Sequence, residues 1–397
     1  MPAGSTAPLV AIRRLATARA ISVTGSLAAY AALVDLIFRK TGGSSIYLAA
    51  TVMLTIGAVG LLEPIGGWVA DHLDRRRVLI GSDLAGAVAF VAMAFVADPK
   101  PLLVVAFISA VVETPFRAGS VAAVPALVGD DAMLARANGW IGIGTNLGIT
   151  VGPALGGVLA AWLGAEPVFV LNAASFVVSA FLVWSIRAPF RTDATEHTDH
   201  AGVGGFGFLA RERVLLLVTL SWMVLVLGTG LGIVADRPVA DVFATGSTGF
   251  GLMIGLWGAG SVVGSWIAGR LGRHQEPIAL VIGFSLAGVA GIGIWVAPVF
   301  ALVLVANVTW GVGDALAVVV EQGIIQRRTP EALRARVVAA NDALVHAALV
   351  VGFLLASPAM DAVGPQATYA VGGIAALLAG VLSLSVVGRL RAAHAPG

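Results

Sequence analysis

The 397-residue chain contains no cysteine, which excludes disulfides, thiolate metal sites and cysteine nucleophiles together. Charge is scarce as well. Asp, Glu, Lys and Arg make up 12% of the residues, against roughly 25% in an average soluble domain, and Lys40 and Lys100 are the sole lysines. Neither lies in a G-x-x-x-x-G-K-[ST] phosphate loop, so the chain lacks the means to drive itself with ATP in that way. There is no H-E-x-x-H, no nucleophile elbow in a strand-turn-helix setting and no basic face with interleaved aromatics. These absences exclude the usual enzyme and nucleic-acid readings, and no metal or cofactor is expected. What is abundant is apolar surface: 58% hydrophobic residues and a mean hydropathy of +0.95. Such a chain belongs in a lipid bilayer.

A bilayer core needs about 20 apolar residues per helix. Runs of that kind lie at 18–38, 46–70, 78–97, 101–122, 138–163 and 167–186, then at 214–235, 248–270, 277–296, 299–322, 336–357 and 366–387. The expected fold is therefore an all-α integral membrane protein of twelve transmembrane helices, in two pseudo-symmetric six-helix halves. The halves are residues 1–188 and 213–397, joined by a linker at 189–212. With the N-terminus inside, 19 of the 24 Arg and Lys residues fall on inside loops and ends and 4 outside. The positive-inside rule then puts both termini in the cytoplasm of a plasma-membrane protein. Arg13, Arg14 and Arg19 precede an uncleaved first span, even though AAYAA at 28–32 has the look of a cleavage site. His197 and His200 in the linker read as solvated residues, since no fixed ligand geometry is implied. The 50 glycines read mainly as close-packing positions between helices.

The halves are linked by a repeat. Gly66 to Arg77 reads GGWVADHLDRRR, and GSWIAGRLGR returns at Gly264 to Arg273, 198 residues later. The acidic part, Asp71 and Asp74, is absent from the second copy, which has Gly269 and Gly272.

Gly67, Asp71, Arg75 and Arg76, between spans 2 and 3, resemble the loop signature of the major facilitator superfamily, with His72 where a basic residue is usual and Asp74 where glycine is usual. RRRVLI followed by Asp83 looks like its drug and proton antiporter branch, which includes macrolide, tetracycline and siderophore exporters. Span 5 carries Gly139, Gly148, Gly152-Pro153 and Gly156-Gly157, similar to the superfamily's antiporter motif. Its physical sense is a bare, close-packing helix face with a proline bend. Pro115 through Pro125-Ala-Leu-Val, Ala137-Asn138, FVLNAASF at 169–176 and IIQRRTPEALRARV at 324–337 agree, so the resemblance covers nearly the whole chain. It departs at Ala335, where glycine is usual, and at Gly25-Ser26, where aspartate often follows the glycine. The resemblance implies export of a hydrophobic small molecule in exchange for protons, by a monomer using alternating access. It also implies a gating role for the 66–77 stretch and Asp83, with Asp71 near the start of span 11 as a one-sided latch. A dedicated siderophore or secondary-metabolite exporter, and a transport-dead scaffold or sensor, stay open beside it.

Charges inside a membrane are expensive and mark pathways or proton relays. Glu113 and Arg117 are four apart in span 4 and able to pair; Asp314 and Glu321 share a face of span 10. In the resembled fold spans 1, 4, 7 and 10 line the cavity, so Glu113, Arg117 and Asp314 are the coupling candidates. Glu63, beside Pro64, is either a further titrating site or a partner for a backbone group freed by the proline. Asp35 is expected to pair with Arg39, Asp83 to balance the Arg75–Arg77 cluster, and His346 to be a packed, hydrogen-bonded residue. Trp222 and Trp310 are the candidates to line the substrate path.

Overall fold

A computed structural model describes residues 6–128, 131–190 and 203–392; His197 and His200 lie outside them. Among the described residues there are twelve helices long and apolar enough to cross a membrane, and no strand. We label them α1 (Thr6–Lys40), α2 (Ser45–His72), α3 (Arg75–Phe95), α4 (Pro99–Ala122), α5 (Asp131–Leu163) and α6 (Ala165–Trp184). The second set is α7 (Arg213–Val242), α8 (Gly246–Ala268), α9 (Glu276–Val296), α10 (Phe300–Arg328), α11 (Glu331–Val363) and α12 (Pro365–Ala392). Each overlaps one expected apolar run. The chain is a twelve-span all-α membrane protein.

Local chemistry sets the ends. Asp74, Asp98 and Glu212 cap α3, α4 and α7 by accepting from the backbone N–H of Arg77, Lys100 and Leu215, which satisfies donors a helix start leaves orphaned. Single glycines connect α5 to α6 and α11 to α12. Gly164 and Gly364 have φ of 87° and 83°, a conformation other residues adopt at a steric cost.

Three boundaries differ from the sequence reading. Helix α1 begins at Thr6, twelve residues before the first expected run, because nothing in TAPLVAIRRLATA breaks a helix. Arg19 is thus inside a helix. Helix α2 continues to His72 and α3 starts at Arg75, so the expected 66–77 turn is two residues, Leu73 and Asp74. In the region read as linker, Val203–Arg211 is a short helix. It lies close on α11, with a Cβ at Gly205 falling 2.1 Å from the carbonyl oxygen of Arg336.

The chain divides into two compact units, one of residues 1–197 with 246–255 and one of 198–245 with 256–397. The same pairings of spans recur in each. In the first, α1 packs on α5 and α6, α3 on α4 and α6, and α2 on α4. In the second, α7 packs on α11 and α12, and α9 on α10 and α12, while α8 meets α10 through Gly260 and Gly264. The 198-residue repeat extends to single contacts. A Cβ at Gly66 would fall 2.7 Å from the backbone of Thr114, and one at Gly264 2.3 Å from the backbone of Val312. Both partners are offset by the same 198 residues.

Candidate functional site

The repeated stretch is built differently in its two copies. In the first, Arg75 is 5% exposed and its guanidinium donates to Asp71 Oδ1 at 2.9 Å, to the Ala122 carbonyl at 2.9 Å and to the Phe190 carbonyl at 3.2 Å. One arginine thereby ties the start of α3 to the end of α4 and to the segment after α6. Arg76 donates to the Trp184 carbonyl at the end of α6. In the second copy Gly272 N–H donates to Gln275 Oε1 at 2.9 Å, and no carboxylate takes part. A feature shared by both is an aromatic ring covered by a basic side chain one turn on: Trp68 stacks on His72 with centroids 4.5 Å apart, and the Arg270 guanidinium lies 3.6 Å from the Trp266 centroid. Of the paired glycines, Gly66 makes the close approach to α4. Around Gly67, the residue of the signature, the nearest atom to a Cβ is 4.0 Å away.

The span 5 glycines fall into three classes. Gly148, Gly152 and Gly156, together with Gly144, form one stripe at four-residue spacing against α1. Added Cβ atoms would lie 2.7 Å from Val23 Cγ1, 2.7 Å from the Thr24 carbonyl oxygen, 2.2 Å from that of Ala28 and 3.0 Å from that of Ala16, respectively. Gly157 faces away from that stripe, with its Cβ position 2.3 Å from the Ser247 carbonyl oxygen, within the first unit. Pro153 serves the same side: its carbonyl oxygen is 2.4 Å from a Cβ at Gly251. Gly139 meets nothing within 4 Å. The motif is thus a surface for helix backbones to touch, and Gly139 is outside it.

In the first unit, Glu113 and Arg117 share a turn of α4 but form no ion pair. Glu113 Oε2 instead accepts from Ser26 Oγ of α1 at 2.9 Å, while Arg117 is exposed. The expected pairing is corrected accordingly: a hydroxyl on the neighbouring helix already occupies the carboxylate. Ser26 is the position at which the resembled family often has aspartate. Close by in sequence terms, Gly25 presses on α6, where a Cβ would fall 2.2 Å from Asn172 Oδ1. Arg19 donates through Nε to Thr145 Oγ1 at 2.9 Å, through Nη1 to the Arg117 carbonyl at 3.1 Å, and to Ser120 Oγ. It therefore joins α1, α4 and α5. Glu63 is half-buried and makes no side-chain hydrogen bond or ion pair among the described residues. Asp83 does not balance the arginine cluster. It is 1% exposed and both carboxylate oxygens lack a hydrogen-bond partner, because Arg75 and Arg76 are turned to backbone carbonyls and Asp71. Asp35 and Arg39 do pair, at 2.9 Å.

In the second unit, Glu321 and Asp314 have different surroundings. Glu321, 3% exposed, accepts from Asn341 Nδ2 of α11 at 3.1 Å, and Asn341 Oδ1 accepts from Thr219 Oγ1 of α7 at 2.7 Å. This string joins α10, α11 and α7. Asp314, half-buried, has no hydrogen-bond or ion-pair partner among the described residues. Asp236 of α7 accepts from the Tyr369 hydroxyl of α12. Trp222 and Trp310 are 7% and 4% exposed. They pack on Phe284, at 5.7 Å between centroids, and edge-on to Tyr369, at 5.8 Å. Both rings are packed inside the unit. His346 bonds to the Asp342 carbonyl at 2.8 Å, as a packed histidine would.

Residues 15–275 and 230–396 match the family model described as Major Facilitator Superfamily. The chain belongs to the major facilitator superfamily. It is a multi-pass membrane transporter of that family and not an enzyme. It is 25% identical over 392 residues to the enterobactin exporter EntS of Shigella boydii serotype 18 (strain CDC 3083-94 / BS512), covering 96% of this chain and 92% of that protein. In fold it is similar to the crystal structure of the nucleoside transporter NupG, with a TM-score of 0.75, 14% identity and 96% and 99% of the two chains covered. The peptide transporter POT in complex with sulfate gives a TM-score of 0.73 at 16% identity, covering 96% and 94%.

Within this transporter, the polar residues to which sequence reading gave no functional part are Arg19, Asn172, Ser179, Thr219, Asp236, Asn341 and Tyr369, and Ser26 was marked only as a departure from the resembled pattern. Asp236 is followed by Arg237, Pro238 and, five residues on, Asp241, a charged cluster that reads as a span end. Arg19 reads as a flanking charge. For the neutral residues no local signal exists, since a lone Ser or Asn in an apolar run is ordinary.

Proposed function

We propose that this transporter is a secondary exporter that moves a small organic molecule outward in exchange for protons, with both termini in the cytoplasm. The observation that carries the reading is Glu113, a carboxyl group in the middle of a spanning helix, held by one hydroxyl and no cation. Such a group can gain and lose a proton at modest cost, whereas a carboxylate locked to arginine resists protonation. The glycine surface of α5 and the bias of arginine in the sequence support the same reading. So does the likeness of nearly the whole chain to exporters. The gating role of Asp71, Arg75 and Arg76 is part of it, as is Asp314 as a further coupling candidate.

For the cargo, the first reading is a hydrophobic, drug-like compound. A second reading, a siderophore, is favoured by the full-length relatives named as enterobactin exporters. The test is accumulation of a hydrophobic fluorescent dye and, separately, of enterobactin in an efflux-deficient host, with and without a protonophore. Export of either probe that collapses with the protonophore, and that falls at least ten-fold in Glu113→Gln at equal protein level, is the expected result. Export indifferent to both the protonophore and the substitution would overturn proton exchange at Glu113. Movement of one probe and not the other decides between the cargo readings.

A further inference from the structure

Asp83 lies in α3 with 1% of its surface exposed, and neither carboxylate oxygen has a hydrogen-bond partner. Opposite it, on α6, is Ser179, fully buried, whose hydroxyl acts on the Asp83 carboxyl although the two do not meet full hydrogen-bond geometry. Asn172, two turns earlier on the same face of α6, leaves its Nδ2 unpartnered too. These three side chains hold four buried polar atoms that meet no hydrogen-bond partner in full geometry. Unpaired polar atoms are rare in native interiors, and a cluster of them calls for a reason.

The surrounding charges do not supply one. Helix α6 offers Glu166, at its first turn. Helix α2 offers Glu63, Asp71 and His72, and α4 offers Glu113 and Arg117. Asp71 is held by Arg75 and Arg117 is exposed, while Ser82 donates to the Val112 carbonyl, which brings the turn of α3 that carries Asp83 to the turn of α4 that carries Glu113, a second acid. An ionised carboxylate with no cation beside it and a single hydroxyl to solvate it, in a bilayer-spanning helix, costs several kcal/mol. A neutral carboxylic acid has one O–H to give, and a serine hydroxyl facing it has lone pairs to accept.

We infer that Asp83 is a proton store inside the first unit: it carries a proton as a neutral carboxylic acid, donates it to Ser179, and exchanges it with Glu113. In that exchange the Asp83 O–H bond breaks and a Glu113 O–H bond forms, so one carboxylate replaces the other and net charge is unchanged. Asn172 and Ser175 continue the polar face of α6 to Gly25 of α1, the residue before the Ser26 that holds Glu113. Asp83 thus belongs to the coupling machinery and is not a counter-charge for the loop arginines.

The test is infrared difference spectroscopy of the full-length protein in lipid vesicles at neutral pH, reading the carbonyl stretch of protonated carboxylic acids. Asp83→Asn is expected to remove one component of that band, and Ser179→Ala to move the same component to higher frequency through loss of a hydrogen bond. A band of unchanged strength in Asp83→Asn overturns the assignment. Should that variant not fold, a band unmoved in Ser179→Ala overturns it equally. The exchange with Glu113 rests on the proton-exchange reading above, but the band does not. A band lost in Asp83→Asn alongside proton-indifferent export in the parent protein sinks that reading alone. A band that persists while export depends on Glu113 sinks the proton store alone.

Discussion

Helices α5 and α11 are counterparts in the repeat, yet they are seamed to their partners by different means. Along α5, Gly144, Gly148, Gly152 and Gly156 bring its backbone onto that of α1 for four successive turns. At the 200-residue offset that sets Gly164 on Gly364 and α5 on α11, these positions become Leu344, Ala348, Gly352 and Ala356. Helix α11 instead meets α7 at one close crossing, where Gly352 lies against the Leu227 carbonyl and Gly230. It is also pinned by the Thr219–Asn341–Glu321 string. The α5 seam has one directional tie, Arg19 to Thr145 near its start. Smooth backbone contact gains dispersion energy without fixing register, while a buried hydrogen-bond string fixes it. The first unit has a seam suited to small shear and the second has a seam suited to holding still.

The largest effect on this contrast is expected from Gly156→Val. Its Cβ would sit 2.2 Å from the Ala28 carbonyl oxygen, a backbone atom that cannot swing aside. Overpacking of this kind costs about 1–3 kcal/mol or more, and here the upper end or loss of folded protein is expected, read as the midpoint of unfolding in detergent. The counterpart at the 200-residue offset, Ala356→Val, starts from a buried residue that already has a Cβ and should cost less, about 1 kcal/mol. Equal losses in the two would break the contrast. A middle effect is expected from Asn341→Leu, which takes the donor from Glu321 and the acceptor from Thr219. About 1–3 kcal/mol should be lost, while Asn172→Leu in the first unit, whose Nδ2 has no partner, should lose less than about 1 kcal/mol by the same reasoning. If Asn172→Leu proves the more damaging, the second seam is not held by its polar string.

The number of spans, their approximate ends and the repeat were legible because each rests on local composition: twenty apolar residues have one use, and a charged GGWVADHLDRRR between two such runs has few. The glycine stripe was legible as a face, since four-residue spacing is helical. Which neighbour it faced was not, because contact with α1 is a relation between residues more than a hundred apart. The same limit hid the Ser26–Glu113 bond, 87 residues apart, and the Asn341–Glu321 bond between adjacent spans. The ring packing of Trp222 and Trp310 was hidden for another reason. A helix that is apolar all round has no amphipathic face from which to read its rotation, so the side on which a ring lies cannot be told from the run that contains it. Arg19 was read as a flanking charge because an arginine near an end usually snorkels; the polar atoms of Thr145 and Ser120 that hold it inside belong to other helices.

The smallest expected effect sharpens the comparison from within α5. Gly139 belongs to the signature by spacing, but a Cβ there would meet nothing within 4 Å, and the residue is exposed in the middle of a helix. Glycine in a helix interior costs roughly 0.5–1 kcal/mol relative to alanine. Gly139→Ala should therefore leave the midpoint of unfolding unchanged or raise it slightly, with export of the responding probe kept. Gly148→Ala, two and a half turns on, would drive its Cβ to 2.7 Å from Val23 Cγ1 and 3.0 Å from the Thr24 backbone nitrogen, and should lower both. A loss of export in Gly139→Ala at unchanged stability would assign that glycine a task outside the α1 seam. The motif would then be two features of α5 that share a spacing by accident of the helix, one for packing and one facing elsewhere.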